Sequence, residues 1–186
     1  EKLLNSRLDL IAGSRFLNES SIKGLSQKRE GFSILANSLA RFSLSKKYSH
    51  ITDFMSGCIV LKRQSCISII EKVDVNGFKF LYELLAISKG RLKVSETHLT
   101  FKPRKHGVSK LDVAIVWDFL VSVIHAILRR SIPRKAISFA FVGAIGVLVQ
   151  FSTLYTLIYF SNMSFETLLP FAVVVAASSN FLVNNW

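Results

Sequence analysis

The spacing of apolar and polar positions divides this 186-residue chain into a first part of short, mixed elements and a second part of long apolar stretches. Residues 8–12 alternate and then run apolar before Gly13, the pattern of a buried strand ending in a turn that carries Ser14 and Arg15. From 28 to 42, Phe32, Leu35, Ala36, Leu39 and Phe42 recur near the helical period, with Arg29 in the first turn, so an amphipathic helix is expected. Residues 43–49 read as a polar, basic loop, and 52–57 as a turn-rich lead into an apolar strand at 58–61. Stretches 65–70 and 78–88 look helical, and 91–101 looks like an extended ribbon. In that ribbon the apolar phase is even at Leu92 and Val94 but odd at Leu99 and Phe101, which predicts a bulge between them. Residues 102–110, with Pro103 and Gly107, form a basic loop with little to bury, expected to move until something anionic orders it.

Beyond residue 112 the pattern changes. Between 113 and 130 the polar residues Asp118, Ser122, His125 and Arg129 are spaced four, three and four, a narrow stripe on an otherwise apolar helix. Such a helix lies in a membrane interface or packs on membrane helices. A fully spanning helix stays open on length, although Asp118 near its middle weighs against it. Residues 136–160 contain no formal charge. They would make about 37 Å of helix against a hydrocarbon core of about 30 Å. Residues 165–186 carry only Glu166, so spans at about 136–160 and 166–185 with a short link at 161–164 predict an antiparallel hairpin. Ala136, Ala140 and Gly143 on the first span and Ala172, Ala176 and Ser179 on the second either let the helices approach closely or reflect ordinary membrane-helix composition. Arg129, Arg130, Arg134 and Lys135 precede the first span and are expected to stay in the cytoplasm, with the short link outside.

Composition agrees with two unlike parts. Half the residues are hydrophobic, yet the net charge is +12. Twenty of the 24 basic and ten of the 12 acidic residues lie in 1–112, leaving +10 there. A basic surface attracts phosphate in nucleic acid, nucleotides or lipid headgroups alike. The attached apolar part tilts the choice toward lipid and nucleotide and away from nucleic acid. Cys58 and Cys66 are too far apart for a Cys-x-x-Cys clip, and His50, His98, His106 and His125 are scattered, so no metal site is expected within this stretch. Beginning at Glu1 and stopping at Trp186 behind an apolar run, the chain is expected to be a piece of a longer protein.

Three basic-and-hydroxyl clusters carry candidate chemistry. The first is Gly13-Ser14-Arg15-Phe16 with Arg29 and Ser33 on the following helix. Two guanidiniums at a strand edge and a helix start can grip one phosphate, although two such arginines in isolation are more often a solvated surface. The second is Asp53-Phe54-Met55-Ser56-Gly57, which by itself also reads as a polar turn capping a strand. The third is Arg104-Lys105-His106-Gly107-Val108-Ser109-Lys110-Leu111, where a glycine-hinged loop with Arg and Lys can close over a diphosphate.

Together these resemble the family 2 glycosyltransferases that make dolichyl- or polyprenyl-phosphate hexoses. The Gly-Ser-Arg-aromatic turn followed by a helix bearing Arg and Ser resembles that family's acceptor site, which implies lipid-phosphate binding by Arg15, Arg29 and Ser33. Residues 53–57 resemble its Asp-Pro-Met-Ser-Gly-Phe motif, with Lys62-Arg63 at its basic pair. Phe54 replaces the usual proline and Cys58 the usual aromatic, departures expected to loosen the turn. The resemblance implies an orienting or catalytic role for Asp53 and places Ser56 and Gly57 in the donor and acceptor pocket. Residues 104–111 follow its Arg-x-x-Gly-x-Ser-Lys-Leu signature, implying charge neutralisation by Arg104, Ser109 and Lys110. Gly77-Phe78-Lys79 with Glu83 follows its Gly-Phe-Lys-x-x-x-Glu-Leu pattern as a scaffold helix, with Glu83 a minor candidate. Residues 141–146 and 180–186 resemble the GtrA-like membrane domain.

The resemblance implies an α/β GT-A-type catalytic domain, its C-terminal half only, at 1–112, then an amphipathic interface helix at 113–130 and a GtrA-like transmembrane domain at 131–186. It implies hexose transfer, mannose from GDP-mannose or glucose from UDP-glucose, to dolichyl or polyprenyl phosphate at the cytoplasmic membrane face. A divalent metal, Mg or Mn, is expected in the full-length enzyme, with its Asp-x-Asp ligands upstream of Glu1. Two rivals remain: a non-enzymatic GtrA-like membrane protein aiding translocation of lipid-linked sugars, and a polybasic membrane-surface binder.

Overall fold

A computed structural model describes residues 7–17, 27–73, 79–99, 113–161 and 163–185, the side chains of 27–30 excepted. The chain divides into two compact units, Glu1–Arg130 and Ser131–Trp186.

The first unit is built on a small mixed sheet. Strand β1 (Leu10–Ser14) is central, with β2 (Ile59–Leu61) antiparallel on one side and β3 (Val94–His98) parallel on the other. Helix α1 (Gln27–Ser43) follows β1, α2 (Arg63–Ile70) follows β2, and α3 (Phe80–Ser88) leads into β3. Leu10 and Ala12 of β1, Leu81, Leu84 and Leu85 of α3, and Ile51, Phe54 and Cys66 are fully buried in one core. Burial pushes the Cys66 thiol up, and the nearby Asp9 charge adds to this, so Cys66 is a packing residue.

Three expectations need correction. The apolar residues of α1 do not all face inward: Ala40 and Asn37 are buried, while Phe32, Leu35 and Phe42 are exposed. Small side chains let this helix sit close to its neighbours, leaving the large ones of the stripe on its outer side. The bulge expected in the 91–101 ribbon is absent from the described residues, since β1 pairs one-to-one with β3 from Leu10↔Val94 to Ser14↔His98. The even-numbered face continues past Val94 into a half-buried Glu96, whose polar partners replace the apolar contacts that would have forced a shift of phase. The loop expected at 43–49 contains a short 3-10 turn at Lys46–Tyr48, with Tyr48 buried, sharing a hydrogen bond with Ser88 and accepting from the Leu92 amide. The turn sits against Gly90, whose φ is +81° and where a Cβ would lie 2.7 Å from Ser45 Oγ, so only glycine suits both backbone and space.

At the opposite end of β1 from Arg15, Asp9 joins the strand starts. Its carboxylate accepts from the Lys93 amide at 2.8 Å, which holds it below the usual carboxylate value, helped by Ser65, Lys62 and Lys93 and opposed by its partial burial. A depressed carboxylate contributes stability above its unfolded value and loses it as pH falls through the folded one. The stability difference between the wild type and Asp9→Ala is therefore expected to be full at neutral pH and to vanish in acid. Denaturant unfolding at a series of pH values checks this; a difference that grows in acid would refute it.

Helix α4 (Val113–Ile127) closes the first unit. Phe119 and Val123 join the core, and the Phe119 ring stands edge-on to Tyr82 with centroids 5.5 Å apart. Two residues of the polar stripe, Asp118 and Ser122, meet Lys79 at the N-cap of α3. Buried Lys79 donates to Ser122 Oγ at 3.0 Å and pairs with Asp118, while Arg130 reaches buried Glu83 at 3.3 Å. A buried ammonium and a buried carboxylate cost too much to leave unpartnered, so they take partners from α4 and from the residues just after it. The helix terminates where Arg129 and Arg130 enter the left-handed region and their amides return to Ala126 and His125.

The second unit is a pair of helices, α5 (Arg134–Phe160) and α6 (Phe165–Asn184), both long and apolar enough to cross a membrane. Leu154, Leu168 and Ala172 pack together, and Ala172 and Ala176 are buried on α6. On α5 the small residue at the contact is Gly146, while Ala136 and Ala140 are exposed and Gly143 only half-buried. A Cβ at Gly146 would collide with the Asn180 side chain, so the glycine is the notch that admits Asn180 of α6.

Candidate functional site

The C-terminal end of β1 is the point where the two described sequence clusters meet. Arg15 follows the last strand residue, and its guanidinium forms a bidentate pair with Asp53, Nε to Oδ2 at 2.6 Å and Nη2 to Oδ1 at 2.7 Å. The Arg15 amide also donates to Oδ2 at 3.2 Å. Asp53 is fully buried and Arg15 is 19% exposed, so the pair presents one cationic edge to the surface and no free carboxylate oxygen. The Phe16 ring lies 5.6 Å from the guanidinium carbon.

Asp53 is held there by the loop that carries it. Ser14 Oγ and Thr52 Oγ1 are 2.6 Å apart, and Ser56 Oγ donates to the Gly13 carbonyl while accepting from the Cys58 amide. Gly13 keeps the strand end narrow: a Cβ there would meet Leu99 at 3.3 Å and Cys58 at 3.4 Å. Ser56 is thus a buried tie between the loop and β1, and its hydroxyl is spent on backbone. Gly57 is exposed with open space around it, so neither room nor backbone angle demands glycine at that point.

The expected loosening at Phe54 is not found. Its ring is fully buried, and its amide, a donor that proline lacks, gives a 2.7 Å hydrogen bond to Asn37 Oδ1. Asn37 Nδ2 in turn donates to the Ser33 carbonyl at 2.9 Å, which fastens the turn of α1 bearing Ser33 to the Asp53 loop. Arg29 falls in the first turn of α1, and its side chain lies outside the described residues. So do Arg104, Ser109 and Lys110, the whole of the third cluster, and Gly77 and Phe78.

Sequence reasoning missed Asn37, Thr52 and Glu96. Asn37 was legible only as a polar residue four beyond Ser33. Glu96 carried the signal of a carboxylate between two hydroxyl residues, Ser95 and Thr97, within a strand. Among the described residues, no three of His, Cys, Asp and Glu converge as a group that could hold a metal ion.

No protein-family profile matches the chain. It is similar to the dolichol-phosphate mannosyltransferase of Pyrococcus furiosus, 28% identical over 180 residues. That match covers 95% of this chain and 49% of the relative, so the chain spans about half the relative's length. The likeness supports a glycosyltransferase relationship.

Proposed function

We propose that the full-length protein transfers a hexose, mannose from GDP-mannose being the first candidate, to dolichyl or polyprenyl phosphate at the cytoplasmic membrane face, and that this chain is the acceptor half of a GT-A-type enzyme followed by its membrane anchor. The observation that carries this reading is the Arg15–Asp53 pair at the end of β1. A buried carboxylate that commits both oxygens to one arginine fixes that arginine's outer edge, and a fixed guanidinium edge suits a phosphate.

The acceptor phosphate oxygen is already a nucleophile, so the reaction needs orientation and charge neutralisation more than proton abstraction. In this reading Asp53 orients Arg15 and is not a general base, because neither of its oxygens is available to a substrate proton. Arg29 and Ser33 would complete the phosphate grip from α1, whose Ser33 turn is tied to the Asp53 loop through Asn37. Arg104, Ser109 and Lys110 would neutralise the leaving diphosphate. The apolar helices would keep the enzyme beside the hydrocarbon tail of its acceptor, and the divalent ion would be held by residues outside this stretch.

A radiolabelled transfer assay with GDP-mannose and UDP-glucose on membranes bearing the full-length protein tests the reaction and its donor. The Arg15→Ala/Arg29→Ala variant is expected to need about tenfold more polyprenyl phosphate for half-saturation and to turn over at least about tenfold more slowly, with little change in the nucleotide-sugar KM. Unchanged acceptor saturation would remove both arginines from the site. No transfer with either donor would favour a non-enzymatic role in handling lipid-linked sugars.

A further inference from the structure

Glu96 stands in β3 beside Ala12 of β1, one strand over from the Arg15 turn. It forms three hydrogen bonds at 2.9 Å to the Asp53 loop: Oε2 accepts from the Thr52 amide and hydroxyl, and Oε1 accepts from the Asp53 amide. A carboxylate that accepts from two successive amides gathers both N–H groups to one side and sets that peptide's position.

The hydroxyl directions follow from the same contacts. An ionised Glu96 can only accept, so Thr52 Oγ1 spends its hydrogen on Glu96 and must receive one from Ser14 Oγ, 2.6 Å away. Ser14 Oγ then accepts from the Phe16 amide at 3.1 Å. The chain Phe16 to Ser14 to Thr52 to Glu96 fixes residues on both sides of Arg15. The Asp53 amide fixes the carboxylate in front of it.

We infer that Glu96 is a positioning residue for Arg15: through the Thr52–Asp53 peptide and the Ser14 hydroxyl it sets the guanidinium edge that the proposed reaction presents to the acceptor phosphate. This rests on the functional reading above for its consequence, though not for its geometry.

The test uses the full-length protein in nanodiscs with ¹⁵N-labelled arginine. The Arg15 Nε–H, assigned by its loss in Arg15→Lys, is read for hydrogen exchange in the wild type, Glu96→Gln and Glu96→Ala. A bidentate pair protects that hydrogen, so exchange is expected to accelerate about tenfold or more in Glu96→Ala. Glu96→Gln, which keeps one accepting oxygen, is expected to fall between. Should Glu96→Ala fail to fold, Glu96→Gln decides. Wild-type exchange in the folded variants overturns the inference. In the full-length protein the same variants are expected to raise the half-saturating polyprenyl phosphate about threefold to tenfold, leaving the nucleotide-sugar KM unchanged. Faster Arg15 exchange with unchanged acceptor saturation would leave Glu96 as the positioner of Arg15 and would instead refute the acceptor role of Arg15.

Discussion

Asp53→Asn in the full-length protein is expected to lower kcat/KM for polyprenyl phosphate by about two orders of magnitude, the scale associated with losing one preorganised charge-stabilising group. The reason lies in the pair itself. Asp53 presents two accepting oxygens to two guanidinium nitrogens, at 2.6 and 2.7 Å. An asparagine keeps one acceptor and turns an amide donor toward the other N–H, so the fork no longer fits and Arg15 is released. Asp53→Glu should not restore activity, because the added methylene moves the carboxylate against a site with no exposed volume. The discriminating measurement is a double-mutant cycle. If Asp53 acts only through Arg15, Arg15→Ala/Asp53→Asn should be no slower than Arg15→Ala alone. Independent, additive losses would show that Asp53 has a separate task, such as taking a proton, and the orienting role would be wrong.

Asp118→Ala is expected to destabilise the first unit by about 2 kcal/mol, less than the scale of a fully buried ion pair because the Asp118 side chain is 45% exposed. The two ends of the Lys79–Asp118 pair are unequal: the Lys79 side chain is 2% exposed and that of Asp118 45%. Removing Asp118 leaves a buried ammonium with Ser122 Oγ as its partner. Removing Lys79 leaves a carboxylate that water can reach, so Lys79→Met should be milder. Lys79→Met/Asp118→Leu should recover much of the loss, since it removes both charges and keeps the volume apolar. Denaturant midpoints for the four proteins check the order. A loss under about 0.5 kcal/mol for Asp118→Ala would mean that α4 is held by Phe119 and Val123 packing alone.

Both results concern residues whose type was conspicuous in the sequence and whose partners were not. Asp53 and Arg15 were separately legible, one in a turn-rich lead to a strand and one after a strand. Their pairing was not, because it depends on the loop at 52–56 being laid across the end of β1, a contact between residues 38 positions apart. The same holds for Phe54. Its departure from proline suggested a looser turn, and the fold uses the very amide that proline would lack, because α1 brings Asn37 to it. In α4, spacing correctly marked Asp118 and Ser122 as one stripe, but periodicity gives a stripe without saying what faces it. A buried lysine at the N-cap of α3 decided that.

Local, one-dimensional physics controls the features that could be read along the chain. These cover the strand before Arg15, the helix bearing Arg29 and Ser33, the short helices that follow, and two long apolar helices joined by a tight link. Chain stiffness, periodicity and the cost of burying charge act over a few residues and can be read directly. Only the tertiary structure decided which polar groups find each other: Asp53 with Arg15, Glu96 with the 52–53 peptide, Lys79 with α4, and Gly146 in place of Gly143 against Asn180. These pairings depend on register and close packing between distant segments. A change of one position in a strand, or of one turn in a helix, would give the same pattern of hydrophobic and polar residues with different partners.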